Sequence, residues 1–210
     1  CPVCDRVTAG VEAAPCPICR SLGKPECAAE PLCKKCGKPL EEEAREYCLD
    51  CERRMPPFVQ GCAAFVYRGM EDGIDRWKNQ NRRCYTSFFA SEMMRLCAGK
   101  MTRWKPEVIV PVPVHPRKRR MRGYNQAELL GEELAGRLGI EQDASVLRRV
   151  KNTAAQKELG DQERKKNIQG AFAADSQAGI YHTVLLVDDI YTTGSTASEA
   201  CRALLDAGVQ

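Results

Sequence analysis

Four C-x-x-C pairs within the first 51 residues constrain the fold of this chain more than any other feature of its sequence. Eleven residues separate the first pair from the second, and eleven separate the third pair from the fourth. Two residues between cysteines allow a tight turn to point both sulfurs at one ion, and a second turn completes a tetrahedral zinc site. We therefore predict two structural Zn²⁺ sites, formed by Cys1, Cys4, Cys16, Cys19, Cys33, Cys36, Cys48 and Cys51.

The equal gaps favour sequential pairing of the turns, first with second and third with fourth, and they also allow a cross-braced arrangement. A redox C-x-x-C is disfavoured, because a thioredoxin-like strand and helix do not surround the pairs. So small a unit has almost no core, and metal binding would supply most of its folding free energy, on the order of 10 kcal/mol per site. The five other cysteines are expected to be structural thiols, with Cys27 a candidate stand-in ligand.

The composition indicates a soluble protein without a transmembrane helix. The sequence is 43% apolar and 29% charged, and it lacks an apolar run near the roughly 18 residues that a membrane span requires. It begins at a cysteine without an initiator Met or signal segment, so we expect a cytoplasmic protein trimmed at this end and truncated at the other. The formal charge of +4 says little about partners, because each Zn²⁺ held by four thiolates adds about −2.

The middle of the chain contains two predicted strands and two predicted helices. Pro56 and Pro57 end the cysteine-rich region, and aromatic and β-branched residues predict a strand over residues 58–67. Apolar residues at helical spacing predict helices over residues 74–78 and 87–97. A second apolar strand is expected over residues 107–114, where prolines indicate an unusual loop at its end.

A strongly basic segment follows the second strand, with five cations in residues 117–122. One interpretation is a solvated or loosely nucleic-acid-binding patch. The other is a loop at the end of a sheet strand that holds a pyrophosphate, with Gly123 allowing close backbone approach. The sequence favours neither. Asn125 and Glu128 then form a capping pattern for the next helix, which is expected to end at Gly139.

Residues 147–172 are polar and weakly periodic. We interpret them as a mobile basic excursion between sheet elements, suited either to closing over an anionic substrate or to contacting a nucleic-acid backbone. Nothing in the composition separates these two uses. The candidate nucleic-acid contacts in this excursion and in the preceding basic segment are Arg117, Lys118, Arg120, Arg164, Lys165 and Lys166.

The stretch 184–196, V-L-L-V-D-D-I-Y-T-T-G-S-T, combines a strand, an acidic pair and a hydroxyl-rich loop. Its four apolar residues predict a strand buried in a parallel sheet. Asp188 and Asp189 then suit either Mg²⁺ or the vicinal hydroxyls of a sugar. The loop at residues 192–196 offers N–H and hydroxyl donors to a phosphate at the start of the next helix, for which Thr196 and Glu199 predict a capping box.

The pattern D-D-x-x-T-T-G-x-T resembles the 5-phosphoribosyl-1-pyrophosphate (PRPP) motif of type I phosphoribosyltransferases. Four further patterns are P-V-P-V from Pro111, R-x-x-R-G-Y-N-Q-A from Arg119, T-x-x-Q-x-x-L from Thr153 and R-x-x-N-x-x-G-A-F from Arg164. Together with the C-x-x-C pairs, they resemble the ComF family of bacterial competence proteins, in particular its ComFC branch. The resemblance covers essentially the whole chain.

This resemblance implies an α/β, type I phosphoribosyltransferase-like parallel sheet flanked by helices, with a small N-terminal double zinc-ribbon domain. The implied domains are residues 1–57 and a phosphoribosyltransferase-like domain at residues 58–210 that lacks the expected last strand. The catalytic pair would be Asp188 and Asp189. The implied PRPP-binding residues are Asp188, Asp189, Thr192, Thr193, Gly194, Ser195, Thr196, Arg119, Arg122 and Gly123.

The resemblance also implies two zinc ions and Mg²⁺ with PRPP as cofactors. The implied role is uptake and processing of single-stranded DNA during natural transformation. Its partners would be PRPP or a related phosphosugar, single-stranded DNA, and a competence helicase or DNA-processing proteins. Two alternatives stay open: an active phosphoribosyltransferase of nucleotide salvage, whose acceptor the sequence does not specify, and a PRPP-fold scaffold that docks protein partners.

Overall fold

The computed structural model describes residues 1–7, 14–152 and 167–210, and the chain forms two compact units. The first comprises Cys1–Met55 and Val59–Lys100, and the second comprises Pro56–Phe58 and Met101–Gln210. The predicted domain boundary after residue 57 stays a prediction. Among the described helices, none combines the length and the apolar character that crossing a membrane requires.

Helices supply the regular structure of the first unit. They are α1 (Pro17–Ser21), α2 (Leu49–Arg53), α3 (Glu71–Asn79) and α4 (Tyr85–Trp104), whose last four residues belong to the second unit. The two longer helices confirm the helical predictions and extend beyond them. The Trp77 ring lies 4.8 Å from that of Phe89, and its Nε1 donates to Thr86 Oγ1 at 3.0 Å. This aromatic contact between α3 and α4 lies in the core, where Trp77 is 2% exposed.

The predicted strand over residues 58–67 is wrong as a continuous element, since within it the structure records only an isolated antiparallel bridge between Phe65 and Cys27. Gly61 donates its N–H to the carbonyl of Lys35 at 2.7 Å, within the cysteine-rich region. The Phe65 ring stacks on Phe88 of α4 at 5.8 Å between centroids. The backbone therefore bonds to a cysteine-bearing loop, and an aromatic side chain that suggested a strand covers a helix instead.

The second unit contains a three-stranded parallel sheet and a two-stranded antiparallel pair. Its elements are β1 (Val108–Pro111), α5 (Pro116–Arg122), α6 (Gln126–Leu138), β2 (Glu141–Gln142), β3 (Leu147–Arg149), β4 (Phe172–Ala174), a 3₁₀ helix (Ser176–Ile180), β5 (Val184–Val187) and α7 (Ser195–Asp206). The parallel sheet has the order β2–β1–β5, and β3 pairs with β4. These elements confirm an α/β fold with helices flanking a parallel sheet.

The pairing of β1 with β5 sets the geometry of the site. Val108 lies opposite Val184, and Pro111 lies opposite Val187. Because parallel neighbours end at the same edge of a sheet, the residues that follow β1 and β5 leave it side by side. The buried core behind this edge includes Val108, Val110, Val112, Val146, Leu147, Ile168, Ala171, Phe172, Ala200 and Leu204.

The basic segment 117–122 is a helix, α5, and not the predicted loop. His115 caps it, since its Nδ1 accepts the N–H of Arg117 at 3.2 Å, and Pro116 occupies the first helical position. Gly123 ends it in the left-handed conformation, with φ of +80°. Arginine is a good helix former, and cations near a helix C-terminus are favoured by its dipole, so the charge run does not prevent helix formation.

The prediction of an irregular excursion over residues 147–172 is wrong at its two ends, which form the strand pair β3 and β4, and its interior lies outside the described residues. Arg149 lies opposite Phe172 in this pair. Several predicted residues lie outside the described residues, namely Thr153, Gln156, Leu159, Arg164, Lys165 and Lys166.

Candidate functional site

The eight cysteines of the C-x-x-C pairs form two groups of four, Cys1/Cys4/Cys16/Cys19 and Cys33/Cys36/Cys48/Cys51. Within each group the sulfurs lie within 4.8 Å of one another. A Zn–S bond of about 2.3 Å gives a tetrahedron with S–S edges of about 3.8 Å, and the contacts recorded are 3.6, 3.7 and 3.9 Å. Both clusters therefore fit a zinc ion, and the sequential pairing is confirmed over the cross-braced one.

Backbone donors make the thiols of each cluster unequal. The backbone hydrogen bond from Cys19 is the largest of the effects that lower the pKa of Cys16 to about 7. Burial opposes ionisation of Cys33, but three backbone N–H groups and a thiol outweigh it and lower its pKa to about 6. Burial and neighbouring thiols raise the pKa of Cys19 to about 11 and that of Cys36 to about 12. Metal binding would therefore displace protons from the thiols whose pKa is raised, such as those of Cys19 and Cys36.

Cys27 belongs to neither cluster. Its Sγ accepts a hydrogen bond from Arg95 Nη2 at 3.4 Å, on the α4 side of the first unit. The idea of a stand-in ligand is therefore wrong, because each cluster already has its four sulfurs.

The acidic pair follows β5 at the carboxyl edge of the parallel sheet. The pairing of β1 with β5 extends one residue beyond the end of β1, since Val112 donates its N–H to the carbonyl of Val187 at 2.8 Å. Asp189 donates its N–H to Asp188 Oδ1 at 2.9 Å, which fixes the first carboxylate relative to the backbone. Both aspartates are half-buried. The sequence thus places two carboxylates, the first of them oriented by the backbone, where parallel α/β proteins bind ligands.

Arg149 on β3 is a residue whose relation to this pair the sequence reasoning missed. Burial lowers the pKa of Arg149, and the charge of Asp188 opposes that shift. The guanidinium lies over the Phe172 ring, with Cζ 5.4 Å from the centroid. Its neighbour Arg148 has a side chain 67% exposed. Successive side chains of a strand point to opposite faces, which separates Arg148 from Arg149. The sequence shows this difference only once residues 147–149 are recognised as a strand.

The hydroxyl loop ends in a glycine that the structure requires. Gly194 precedes α7 with φ of +76° and is buried. A Cβ at this position would lie 2.2 Å from Tyr191 Oη, and the Tyr191 ring meets Phe58 edge-on at 6.2 Å. Thr193 Oγ1 and Ser195 Oγ lie 2.9 Å apart, so two hydroxyls converge at the start of the helix.

The predicted capping box of Thr196 and Glu199 is wrong. The residue preceding α7 is Gly194, and no side chain among the described residues caps the helix there. Glu199 Oε1 instead accepts the N–H of Gly170 at 2.6 Å, and Oε2 accepts from Arg202 at 2.8 Å. Without a side-chain cap, the first N–H groups of α7 are suited to an anion, and the helix dipole favours negative charge there.

The basic residues assigned to pyrophosphate lie on α5, which follows β1 at the same edge of the sheet. Arg119 Nη2 forms an ion pair with Glu128 of α6 at 3.0 Å. Arg122 Nη1 lies 3.5 Å from Gln126 Oε1. The structure thus gives both arginines contacts on α6, while Gly123 serves to end the helix.

The neighbouring motif residues have structural roles. Asn125 Nδ2 donates to the Val112 carbonyl at 3.1 Å, and its Oδ1 accepts the N–H of Ala127 at 3.2 Å. Tyr124 and Gln126 are buried beside it. These contacts confirm Asn125 as the helix cap and fasten α6 to the end of β1.

The chain has two four-cysteine clusters that fit zinc and an α/β unit with a parallel sheet. Its sequence is similar to those of several curated proteins. It is 40% identical over 107 residues to Competence protein F of Haemophilus influenzae, which covers 50% of this chain and 47% of that protein. It is 38% identical over 103 residues to DNA utilization protein YhgH of Escherichia coli, covering 49% and 45%. It is 26% identical over 178 residues to Competence protein ComFC of Streptococcus pneumoniae, covering 81% and 74%.

These similarities support a relationship to the ComF family of competence proteins. The chain spans about half the length of Competence protein F and of the YhgH proteins that it matches. No family model matches it, and no solved structure matches it significantly.

Proposed function

We propose that this chain binds PRPP, or a related phosphosugar, at the carboxyl end of β5 and acts in the uptake and processing of single-stranded DNA during natural transformation. The observation that supports this ligand is the acidic pair Asp188 and Asp189, which follows strand β5 of the parallel sheet and precedes a helix without a side-chain cap. The DNA role is supported by relatives named for competence and for DNA utilization.

The site residues have separate tasks in this proposal. The Asp188 and Asp189 carboxylates accept hydrogen bonds from vicinal ribose hydroxyls, because carboxylates are strong acceptors. The hydroxyls of Thr193 and Ser195, already 2.9 Å apart, join the N–H groups of residues 192–196 in donating to the 5′-phosphate. The acid pair also offers hard oxygen ligands, so it fits Mg²⁺, which would neutralise pyrophosphate charge when bound.

Arg149 supports this arrangement from the opposite strand pair. Its positive charge acts on Asp188 and favours the ionised carboxylate that the ribose hydroxyls require. The stacking on Phe172 holds the guanidinium in place. Arg149 is therefore proposed as a positioning residue for the acid pair.

Single-stranded DNA is proposed to contact α5. Arg117 and Arg120 are exposed on this helix, and Met121, which follows Arg120, is 78% exposed. Exposed cations neutralise phosphates and release counterions, so binding would weaken steeply as salt rises. Arg164, Lys165 and Lys166 stay proposed contacts from the sequence, because they lie outside the described residues.

Calorimetric titration with PRPP and Mg²⁺ tests the ligand, using wild type and the double variant Asp188→Asn/Asp189→Asn. The substitutions keep the side-chain shape but remove both negative charges, and we expect binding to weaken at least about a hundredfold, since two charge-assisted contacts are lost. Asp206→Asn, on the exposed end of α7, is the matched control and should bind normally. Unchanged affinity in the double variant would refute the site.

The DNA role is tested by fluorescence anisotropy with an oligo-dT probe across a salt series. Arg117→Gln/Arg120→Gln should weaken binding at low salt and flatten the salt dependence, while Arg137→Gln on α6 should not. Absence of salt-sensitive binding in wild type would contradict the proposal.

The alternative function, an active phosphoribosyltransferase, would use the same site. Release of pyrophosphate from PRPP in the presence of a nucleobase would show that activity.

A further inference from the structure

A cavity of about 480 Å³ lies in the first unit, where the turn after α1 meets one face of α4. Ser87, Ser91 and Arg95 line it from α4. Their spacing of four residues puts all three on one stripe of the helix. Arg20 and Lys24 line it from the α1 turn. Its volume is in the range of small-molecule sites.

The lining of this cavity is positively charged. Three cations and one carboxylate line it. The carboxylate, that of Glu92, is paired with one of the cations, since its Oε2 accepts from Arg95 Nη2 at 2.6 Å and from Arg95 Nε at 3.0 Å. Cys27 Sγ accepts from the same Nη2 at 3.4 Å. Both contacts hold the guanidinium in place, and the Nη1 group takes part in neither. A concave surface with excess positive charge favours an anion.

The first cysteine cluster fixes the backbone of the other two cations. Arg20 donates its N–H to the Cys16 carbonyl at 3.0 Å, and Lys24 donates to the Cys19 carbonyl at 2.9 Å. Cys16 and Cys19 are the second pair of that cluster. A zinc ion in this cluster would organise the turn that carries both cations before any ligand arrives, which would lower the ordering cost of binding.

We propose that this cavity binds a phosphomonoester of nucleotide size. Three cations and the hydroxyls of Ser87 and Ser91 match the charge and the acceptor oxygens of a phosphate dianion. The volume exceeds what an inorganic phosphate fills, so part of the remaining ligand is enclosed as well. Two sources present this chemistry: a free mononucleotide and the 5′-phosphorylated end of a DNA strand. The site is distinct from the proposed PRPP site, which lies in the second unit.

Isothermal titration of the zinc-loaded chain with dTMP tests this proposal, with thymidine as the ligand that lacks phosphate. Lys24→Gln and Arg95→Gln should each weaken dTMP binding about tenfold, the loss expected for one charged hydrogen bond. Arg137→Gln on α6 is the matched control and should leave affinity unchanged. Two zinc ions per chain and an unaltered circular dichroism spectrum in each variant show that the fold is intact.

The result also separates the two sources and the two sites. The strand-end test uses Arg117→Gln/Arg120→Gln, which removes the proposed α5 contact. If decathymidylate then binds tightly with a 5′-phosphate and weakly with a 5′-hydroxyl, the ligand is a strand end; if dTMP alone binds, it is a free nucleotide. Asp188→Asn/Asp189→Asn should leave dTMP affinity unchanged, so failure of the PRPP proposal does not affect this one. The proposal is overturned if neither phosphorylated probe binds, if thymidine binds as tightly as dTMP, or if both cavity variants bind normally.

Discussion

Replacing Gly194 by alanine should destabilise the second unit through two separable effects. The first is backbone strain, because φ is +76° and the left-handed region costs an L-residue roughly 1–2 kcal/mol. The second is a clash, because the new Cβ would lie 2.2 Å from Tyr191 Oη and 2.7 Å from Cζ. Overpacking of this kind costs about 1–3 kcal/mol. We therefore expect a loss of about 2–5 kcal/mol in the free energy of unfolding.

A double-mutant cycle separates the two effects. In Tyr191→Ala the ring is gone, so adding Gly194→Ala should cost only the backbone strain, and the two substitutions together should destabilise less than their sum. Thermal and urea unfolding followed by circular dichroism would measure each variant. Gly136→Ala on α6 is the matched control: a Cβ there meets nothing within 4 Å, and removing a helical glycine should stabilise by up to about 1 kcal/mol.

Two results would refute this reasoning. If Gly194→Ala unfolds like wild type, the conformation of the loop does not require glycine. If the cycle shows no coupling, Tyr191 does not cover the loop as the structure places it. In that case, the predicted contact between the hydroxyl loop and its own tyrosine is absent in solution.

The remaining predictions concern the cysteine clusters and the start of α6. Cys33→Ser should lower bound zinc from two ions per chain to one by metal analysis, while Cys27→Ser, outside both clusters, should keep two; two ions in both variants would contradict the assignment. Asn125→Ala should cost about 2–4 kcal/mol in chemical unfolding, because the buried Val112 carbonyl loses its donor and α6 loses its cap. The exposed Asn79→Ala should stay within about 0.5 kcal/mol, and a similar value for both would mean that the Asn125 contacts contribute little.

Features set by short-range spacing could be predicted from the sequence. The C-x-x-C repeats gave the ligands of each cluster, because a two-residue turn allows few arrangements of its sulfurs. The apolar run before Asp188 is a strand, as four consecutive apolar residues ahead of a loop indicate, although only Leu185 and Val187 in it are fully buried. Asn125 caps α6 as its residue type favours.

Features set by tertiary contacts could not. Phe65 is of a residue type that favours strands. However, the backbone around it forms hydrogen bonds to the cysteine-bearing loops, and its ring packs on α4. Glu199 stands at the spacing of a capping box, yet it binds the N–H of Gly170, a residue 29 positions away. The relation of Arg149 to Asp188 also depends on strand pairing that no local pattern reveals. In each case a partner distant in sequence decided the outcome.

The central claim is that Asp188 and Asp189 form a phosphosugar site. Calorimetric titration of the zinc-loaded chain with PRPP and Mg²⁺ tests it most directly, together with the thermal unfolding midpoint of Asp188→Asn/Asp189→Asn. The account predicts saturable binding in wild type, and in the variant lost binding with a midpoint nearly unchanged, because half-buried carboxylates that serve a ligand add little to stability. Normal PRPP binding by the variant, or no binding by wild type, would contradict it.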